Sequence, residues 1–394
     1  MSGVLFHERA RLLAGVLCAI AAWPALAKDT LQPYVEIRRM WDDNLFRTET
    51  DTRSGTIDIA SAGVALDWRY GRQQVTGRAG ANQVRYREFG QLDYDGYDLD
   101  LQWNWQTANG ISGLLGCSES QTQSSLADIQ SSLSNLHTQR ECKAGLFANP
   151  SGIWQARLVI SDNESNNSDP SRQVYDWQES GLEATLGQTF SIGNYAGGFL
   201  RVAEGKFPNR QTVGALRIDN SYRQQEAGLQ ANYRLSGATH FSVRAAYLQR
   251  THDQVPERDF DGLSGRFSFK WQPSGKTALN GALYRNVGAV EDLNANYIVA
   301  DGMTASAAWT PTDKTRISLD AKLEQRAYAG DPGIISGLSQ RKDEVRSLGA
   351  GFDYQAHRLA GLGVSARRES RESNEAGRGY RAKVVQTYLR LTFY

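Results

Sequence analysis

Short turn signals recur along this chain roughly 40 residues apart, and longer polar stretches alternate with them. The eight short signals are rich in glycine, asparagine, proline and serine, and they lie at 71–72, 109–110, 149–152, 191–194, 236–237, 273–275, 311–313 and 357–360. The nine longer polar stretches are 42–55, 90–95, 121–134, 162–173, 205–217, 252–259, 288–295, 329–342 and 370–379. These connections divide the chain into about eighteen segments, and sixteen is the alternative count.

Within the segments, apolar and polar residues alternate with a period of two. In 97–106 the odd-numbered residues are Tyr, Leu, Leu, Trp and Trp, whereas the even-numbered residues are Asp, Asp, Gln, Asn and Gln. The segments 226–235, 263–272 and 316–326 follow the same rule. Because successive side chains of a β-strand point to opposite faces, each segment predicts a strand with one apolar and one polar face.

Two fold classes share this alternation, the soluble β-sandwich and the transmembrane β-barrel. The segments are longer than the ~5–6 residues usual in globular sheets. Tight turns that alternate with long loops are typical of outer-membrane barrels, as are aromatic residues beside the short turns, here Trp68, Tyr70, Trp103, Trp105, Trp271 and Trp309. The mean hydropathy of −0.51 fits a barrel, because only alternate residues face lipid. We therefore predict an all-β fold, a transmembrane antiparallel up-and-down β-barrel.

The first residues have the pattern of an export signal. Arg9 and Arg11 precede an apolar run, and Ala25 and Ala27 match the small-residue cleavage pattern. We expect residues 1–27 to be a signal peptide cleaved after Ala27, and residues 28–394 to form the barrel. An exported barrel belongs in the outer membrane of a Gram-negative bacterium.

The predicted mature chain carries no net charge and two cysteines. Removal of residues 1–27 takes away two of the 44 basic and one of the 43 acidic side chains, so the totals become equal. No nucleic-acid surface is indicated by this balance. Cys117 and Cys142 flank the 121–134 stretch in the same phase. They can form a cross-strand disulfide or lie as two small apolar residues on the lipid face, and the sequence leaves both interpretations open.

The sequence contains no constellation typical of catalysis, metal binding or cofactor binding. His137, His240, His252 and His357 lie on separate segments without metal-ligand spacing. The strings DYDG at 93–96 and DFDG at 259–262 resemble fragments of calcium loops but lack the remaining ligands. They are more typical of the start of a strand after a turn. We therefore expect neither an enzyme nor a cofactor or metal site.

Three stretches carry a resemblance to a known family. They are YVEIRRMWDDNLFR at 34–47, FGQLDYDGYDLDLQWNW at 89–105 and NYIVADGMTASAAWTPTDKTRISLDAKLEQRAYAGDP at 296–332. The chain resembles the EpsL-type outer-membrane barrels of exopolysaccharide biosynthesis loci, which are associated with exosortase and PEP-CTERM systems. The resemblance implies a role in a secreted polysaccharide pathway and names no catalytic residues.

Together these observations favour a polar-lined pore for a secreted polysaccharide. The lumen-lining candidates are Arg244, Arg266, Arg316, Asp320, Glu324 and Arg326. The alternatives are a passive diffusion porin for small solutes and a non-conducting barrel that serves as a scaffold for periplasmic export components. Expected partners are outer-membrane lipids and lipopolysaccharide, together with the polysaccharide. By length, the loops at 121–134 and 329–342 are the candidates for folding into the pore.

Overall fold

The computed structural model describes residues 30–129, 133–149, 152–191, 194–213, 216–254, 256–292, 295–329 and 340–393. The predicted signal peptide and its cleavage site lie outside the described residues. The chain forms long strands separated by turns and loops, and their bounds are β1 Leu31–Asp42, β2 Gly55–Tyr70, β3 Gln73–Tyr86, β4 Tyr94–Gln106, β5 Ile111–Gln123, β6 Leu136–Ala148, β7 Trp154–Asn167, β8 Trp177–Ser191, β9 Asn194–Lys206, β10 Gln211–Val213, β11 Leu216–Ile218, β12 Tyr222–Arg234, β13 Thr239–His252, β14 Phe260–Ser274, β15 Thr277–Asp292, β16 Ala295–Thr312, β17 Thr315–Ala329, β18 Lys342–His357, β19 Ala360–Ser373 and β20 Tyr380–Thr392.

Eighteen of these strands form one closed antiparallel barrel. Each strand pairs with its neighbours in sequence, and β9 pairs directly with β12 because β10 and β11 form a separate hairpin in the loop between them. The barrel closes where β1 pairs with both β2 and β20. Closure leaves no unpaired edge of the sheet exposed to lipid, which a membrane-spanning sheet requires. The predicted eighteen-stranded up-and-down barrel is confirmed.

All eight predicted short turns join consecutive strands at one end of the barrel, whereas the bounds of several predicted long loops differ from the structure, most clearly in two of them. The stretch 288–295 is not a long loop, because β15 continues to Asp292 and β16 begins at Ala295. In the stretch 162–173, β7 continues to Asn167 and the connection begins only at residue 168. Both stretches are polar near the loop end of the barrel. Strands that extend beyond the bilayer can carry polar residues on both faces, so polarity alone marks the loop too early.

The two faces of the wall differ in polarity as the alternation predicted. Large apolar side chains on alternate positions are strongly exposed, including Leu200, Leu229, Leu263 and Leu348. The intervening positions carry polar and charged side chains that hydrogen-bond to one another between strands. The exposed apolar face is the outer, lipid-facing surface, and the polar face lines the lumen.

Short turns lie at the periplasmic end of such a barrel and longer loops at the extracellular end. The described parts of the loops contain four short helical segments: the 3-10 turns Gly90–Leu92, Gln173–Tyr175 and Pro256–Arg258, and the α-helical turn Leu126–Ile129. Among the described residues, no helix is long and apolar enough to cross a membrane.

A small apolar core lies inside the extracellular mouth. Leu45 and Phe46 of the first loop and Leu92 of the second pack against Ile57 and Val84, which are inward-facing residues of β2 and β3. The rings of Phe46 and Phe89 meet edge to face, with their centroids 4.8 Å apart. The first two extracellular loops therefore fold inward over the β1–β4 side of the mouth and bury their apolar residues against the wall.

Candidate functional site: a charged lumen and an inward-folded loop

The structure places all six predicted lumen residues on the inner face, on β13, β14 and β17. Most of them contact a neighbouring side chain through a hydrogen bond, an ion pair or an aromatic ring. Arg244 donates to Glu183 at 2.7 Å and Arg326 to Glu324 at 2.6 Å, and Tyr284 donates to the same Glu324 carboxylate. Asp320 accepts a long bond of 3.4 Å from Arg367. Arg266 lies over the ring of Tyr284 at 5.4 Å, and Arg316 is exposed near the periplasmic end.

One part of the inner wall carries a chain of alternating charges. Arg201 on β9 donates to Glu179 on β8 at 2.6 Å and to Glu226 on β12 at 2.9 Å. Glu226 also lies 4.0 Å from Arg244 of β13, which bonds to Glu183 of β8. Tyr222 donates to the second oxygen of Glu179 at 2.6 Å. Each carboxylate has a guanidinium partner, and because three carboxylates share two guanidinium groups, this region of the wall is held in fixed geometry and is slightly acidic.

The neighbouring strip of wall, on β14 to β16, is basic. Arg266 and Lys270 face the lumen from β14, and the described inward positions of β15 from 278 to 288 and of β16 from 298 to 308 carry no acidic side chain. Within the described residues, no carboxylate lies within ion-pair distance of either cation. Asp98 and Asp100 face the lumen from β4, eight strands away around the eighteen-stranded wall, and Arg78 of β3 lies opposite Asp100 in the register. The basic strip, Arg266 and Lys270, therefore lies apart from these two carboxylates.

The third extracellular loop, Ser124–Asn135, is fixed at its base by hydrogen bonds. The Ser124 amide donates to the Asn135 carbonyl at 2.8 Å, and the Asn135 side-chain amide donates to Ser124 Oγ at 2.8 Å. The same amide donates to Asn167 Oδ1 at 2.7 Å, and Asn135 Oδ1 accepts from the Asp169 amide at 2.9 Å. Asn135 is fully buried. The loop therefore leaves the wall in a defined direction, because its base is bonded to the next loop as well as to itself.

Residues 126 and 127 of this loop reach over the mouth of the barrel. Leu126 packs against the apolar core formed by the first two loops. The Ala127 carbonyl accepts a 2.8 Å hydrogen bond from Arg371 Nη2, on the inner face of β19. Five strands separate β5 from β19 around the wall, namely β4, β3, β2, β1 and β20. Of the loop predicted at 121–134, residues 126 and 127 thus reach into the pore entrance, and 121–123 belong to β5. Most of the other predicted inward loop, 329–342, lies outside the described residues.

The Arg371 guanidinium is held rigidly on the opposite wall. It is almost completely buried, donates to the Arg378 carbonyl at 2.6 Å and lies 4.9 Å from the ring centroid of Tyr380. Asp343 of β18 lies 3.8 Å from it and also binds Arg341 at 2.5 Å. Arg371 is therefore a preformed anchor for the loop backbone rather than a mobile surface cation.

The segment WDDNLFR at 41–47, which carried the family resemblance, organises the first inward loop. The buried Asp42 carboxylate accepts from the Asn44 amide at 2.9 Å and from Arg47 at 2.7 Å. Asn44 donates to the Thr48 and Arg381 carbonyls, and Arg47 reaches Glu369 of β19 at 3.3 Å. Leu45 belongs to the apolar core described above. Asp42, Asn44 and Arg47 thus each form hydrogen bonds that hold the loop in place, which gives them a structural role.

The DYDG and DFDG strings both mark the return from a loop into a strand. Asp93 Oδ1 accepts a 2.7 Å bond from the amide of Tyr86, the last residue of β3. Asp259 Oδ1 accepts a 2.7 Å bond from the amide of His252, the last residue of β13. Each aspartate satisfies the final donor of the preceding strand, which is the turn chemistry expected for these strings. Among the described residues, no group of three His, Cys, Asp or Glu side chains is arranged to hold a metal ion.

Cys117 and Cys142 lie directly opposite each other on β5 and β6, on the lipid-facing side of the wall. Their Cα atoms are 4.0 Å apart, and the structure has a disulfide between them. The pair lies at the middle of the two strands, and the inward loop connects the extracellular ends of the same two strands.

Several lumen and mouth residues could not be selected from the sequence, including Arg371, Asn135, Arg201 and Glu179. The sequence showed only that each of them lies on the polar face of a strand or in a polar loop. Only the strand register shows which of these many charged residues meet, because each pairing joins residues far apart in sequence.

The sequence and fold were compared with known proteins. Residues 204–393 match the model of the family described as "Putative beta-barrel porin 2". No curated protein matches the sequence. The fold is similar to crystal structures of OccK1 (OpdK) from Pseudomonas aeruginosa, at a TM-score of 0.50 and 12% identity over 92% of this chain and 99% of that one. A structure of OpdK from the same organism with vanillate gives the same values. A further OpdK structure has a TM-score of 0.50 and 11% identity over 93% of this chain and 100% of that one.

The closed wall, the lipid-facing apolar band and the charged lumen all agree with these similarities. At 11–12% identity the similarity concerns the fold. A β-barrel with this exterior is stable only in a bilayer, and such barrels belong to the outer membrane. The protein is an eighteen-stranded β-barrel of the Gram-negative outer membrane, with the fold of the porin structures to which it is similar.

Proposed function

We propose that this protein is a passive diffusion porin for small hydrophilic solutes and that it has no enzymatic activity. The observation that carries the proposal is the Ser124–Asn135 loop, which is tied across the mouth to Arg371 above a charged lumen. An eighteen-stranded barrel is wide enough to hold an aqueous channel. A loop that crosses such a channel narrows it, so size and charge at the constriction decide what passes.

The basic strip on β14 indicates which solutes to test first. Arg266 and Lys270 are exposed to the lumen without a carboxylate in ion-pair distance among the described residues. Cations with this exposure attract small anions and lower the barrier to their entry. The vanillate in one similar structure is a small carboxylate bound to a barrel of the same fold. Small organic carboxylates are therefore the first cargo class of this proposal.

Polysaccharide export, the function implied by the family resemblance, receives no support from the similar structures. A loop bonded across the mouth also hinders the passage of a polymer more than that of a small solute. The two functions predict different results in the same preparation. A diffusion porin conducts ions steadily and takes up small solutes, and its current is not blocked by the polymer.

The test uses the purified barrel in planar bilayers and in proteoliposomes. We expect steady single-channel conductance, and swelling rates that fall as the size of neutral sugars rises. We also expect benzoate-type carboxylates to enter faster than neutral solutes of the same size. A barrel that conducts no ions and admits no solutes would overturn the proposal and favour a scaffold for export partners. A current blocked by polysaccharide from the source organism would favour export.

A further inference from the structure

The outer surface of the barrel carries a compact cationic site at the extracellular ends of β19 and β20. Arg368 of β19 and Lys383 of β20 are directly opposite each other in the register, and Arg381 is the next outward residue of β20. All three side chains are exposed on the outer face. This group of three, the outer basic site, lies on the membrane side of the wall and takes no part in the lumen.

None of these three cations has an ion pair within the described part of the chain. Three acids lie near the site. Glu344 of β18 bonds to Arg346 at 2.7 Å, Glu372 of β19 is opposite Glu344 in the register, and Asp43 Oδ1 accepts from the Lys383 backbone amide at 2.6 Å. Like charges placed directly opposite on adjacent strands destabilise a sheet. Among the described residues no carboxylate forms an ion pair with these three side chains, so their hydrogen-bond donors are available to an external anion.

The outer basic site lies at the upper edge of the lipid-facing band. Leu348 of β18 is opposite Arg368 in the register and is 63% exposed. The next outward residues toward the periplasm are Ala366 of β19 and Val385 of β20, followed by Val364. Cations that border an apolar strip on its extracellular side lie at the depth where acyl chains end and headgroups begin.

We propose that the outer basic site binds the phosphate groups of a lipopolysaccharide molecule in the outer leaflet. Guanidinium groups match phosphate oxygens in a bidentate geometry, and an ammonium group adds a further point charge. The acyl chains of the same lipid lie along the apolar residues below the site. The inference is independent of the proposed transport function, because these side chains point away from the lumen.

The outer surface at β6 and β7, six strands away from β20 around the wall, carries a different charge. There the outward cation Arg140 of β6 forms ion pairs with Glu164 and Asp162 of β7. The carboxylate of Glu119 on β5 accepts a hydrogen bond from Tyr97. This flank is neutral to acidic and should hold a phosphorylated lipid weakly. Arg140 is therefore a matched control, an outward arginine near the same end that already has partners.

The experiment measures binding of lipid A to the folded barrel in detergent, by native mass spectrometry. The samples are wild type, the triple variant Arg368→Gln/Arg381→Gln/Lys383→Gln and the control Arg140→Gln. Heat-dependent mobility in gels checks that each barrel is folded. We expect the triple variant to lose at least about tenfold in affinity, since each basic residue near an anionic surface contributes substantially to binding. The control should stay within about twofold of wild type, because its cation is already paired.

A second experiment uses only the wild-type protein. Wild type is titrated with bisphosphorylated lipid A, with enzymatically dephosphorylated lipid A and with inorganic phosphate. We expect tight binding of the first, weak binding of the second and no displacement of bound lipid A by millimolar phosphate. Equal binding of both lipids, or of lipid A to wild type and triple variant, would overturn the proposal. Displacement by inorganic phosphate would also overturn it, because the site would then bind free anions.

Discussion

Arg371 Nη2 and the carbonyl oxygen of Ala127 are joined by a 2.8 Å hydrogen bond, although 244 residues and five barrel strands separate them. The arginine belongs to the wall and the alanine to a loop that begins on the other side of the mouth. The bond therefore fixes the position of the loop within the entrance. Since the guanidinium is buried among Asp343, Tyr380 and the Arg378 carbonyl, its orientation does not depend on the loop.

The first prediction concerns this anchor. Replacing Arg371→Ala removes the bond to Ala127, so the loop should leave its fixed position part of the time. We expect a larger and noisier single-channel current than that of wild type. The matched control is Arg368→Ala on the same strand, which faces lipid and should leave the current unchanged. An unaltered current in a folded Arg371→Ala barrel would show that this bond does not hold the constriction.

The second prediction concerns ion selectivity. Arg266→Gln combined with Lys270→Gln removes two exposed lumen cations, so the local preference for anions should fall. The reversal potential in a tenfold salt gradient should therefore shift toward that of a more cation-selective channel. Arg285→Gln is the control, because Arg285 faces outward and pairs with Asp301 at 3.1 Å. A reversal potential equal to that of wild type would exclude the β14 strip as a selectivity element.

The third prediction concerns packing of the wall. A Cβ atom at Gly302 of β16 would come within 2.4 Å of the Tyr284 ring on β15. The change Gly302→Val should therefore push this ring aside and weaken the Tyr284 bond to Glu324. Overpacking of this kind costs about 1–3 kcal/mol of unfolding free energy. Urea unfolding from lipid vesicles measures it, and Gly288→Ala, with open space around its Cβ, should change much less.

The fourth prediction concerns Cys117 and Cys142. In protein isolated without reductant, neither thiol should react with a maleimide after denaturation, and both should react once a reductant is added. Loss of the cross-link in Cys117→Ala/Cys142→Ala should lower the unfolding free energy by about 3 kcal/mol for a sequence separation of 25. Two reactive thiols in the unreduced protein would show that the pair is free.

The regular part of the wall could be predicted almost completely. The eighteen strands and eight tight turns follow from period-two alternation and from turn residues, both of which act over a few residues. The loop boundaries were less accurate, as in 288–295, where β15 and β16 rise above the bilayer. There the polarity of the sequence no longer distinguishes a strand from a loop, because both are in water.

The site could be predicted only as a list of candidates. The phase of β17 placed Asp320, Glu324 and Arg326 on the inner face, but not the bond from Tyr284 of β15 to Glu324. The phase also did not distinguish cations that have an ion-pair partner, such as Arg244, from cations that have none among the described residues, such as Arg266. That difference depends on which residues of other strands are brought within about 4 Å, and register decides it.

The sequence by itself determined the class of fold, the number of strands and the two faces of the wall, because these depend on local alternation and on the turn chemistry of neighbouring residues. Only the tertiary structure decided which loop enters the pore, which charges remain uncompensated and where Arg368 meets Lys383 on the outer surface. Those features arise when barrel closure brings distant strands together, since the hydrogen-bond register then fixes every contact between them.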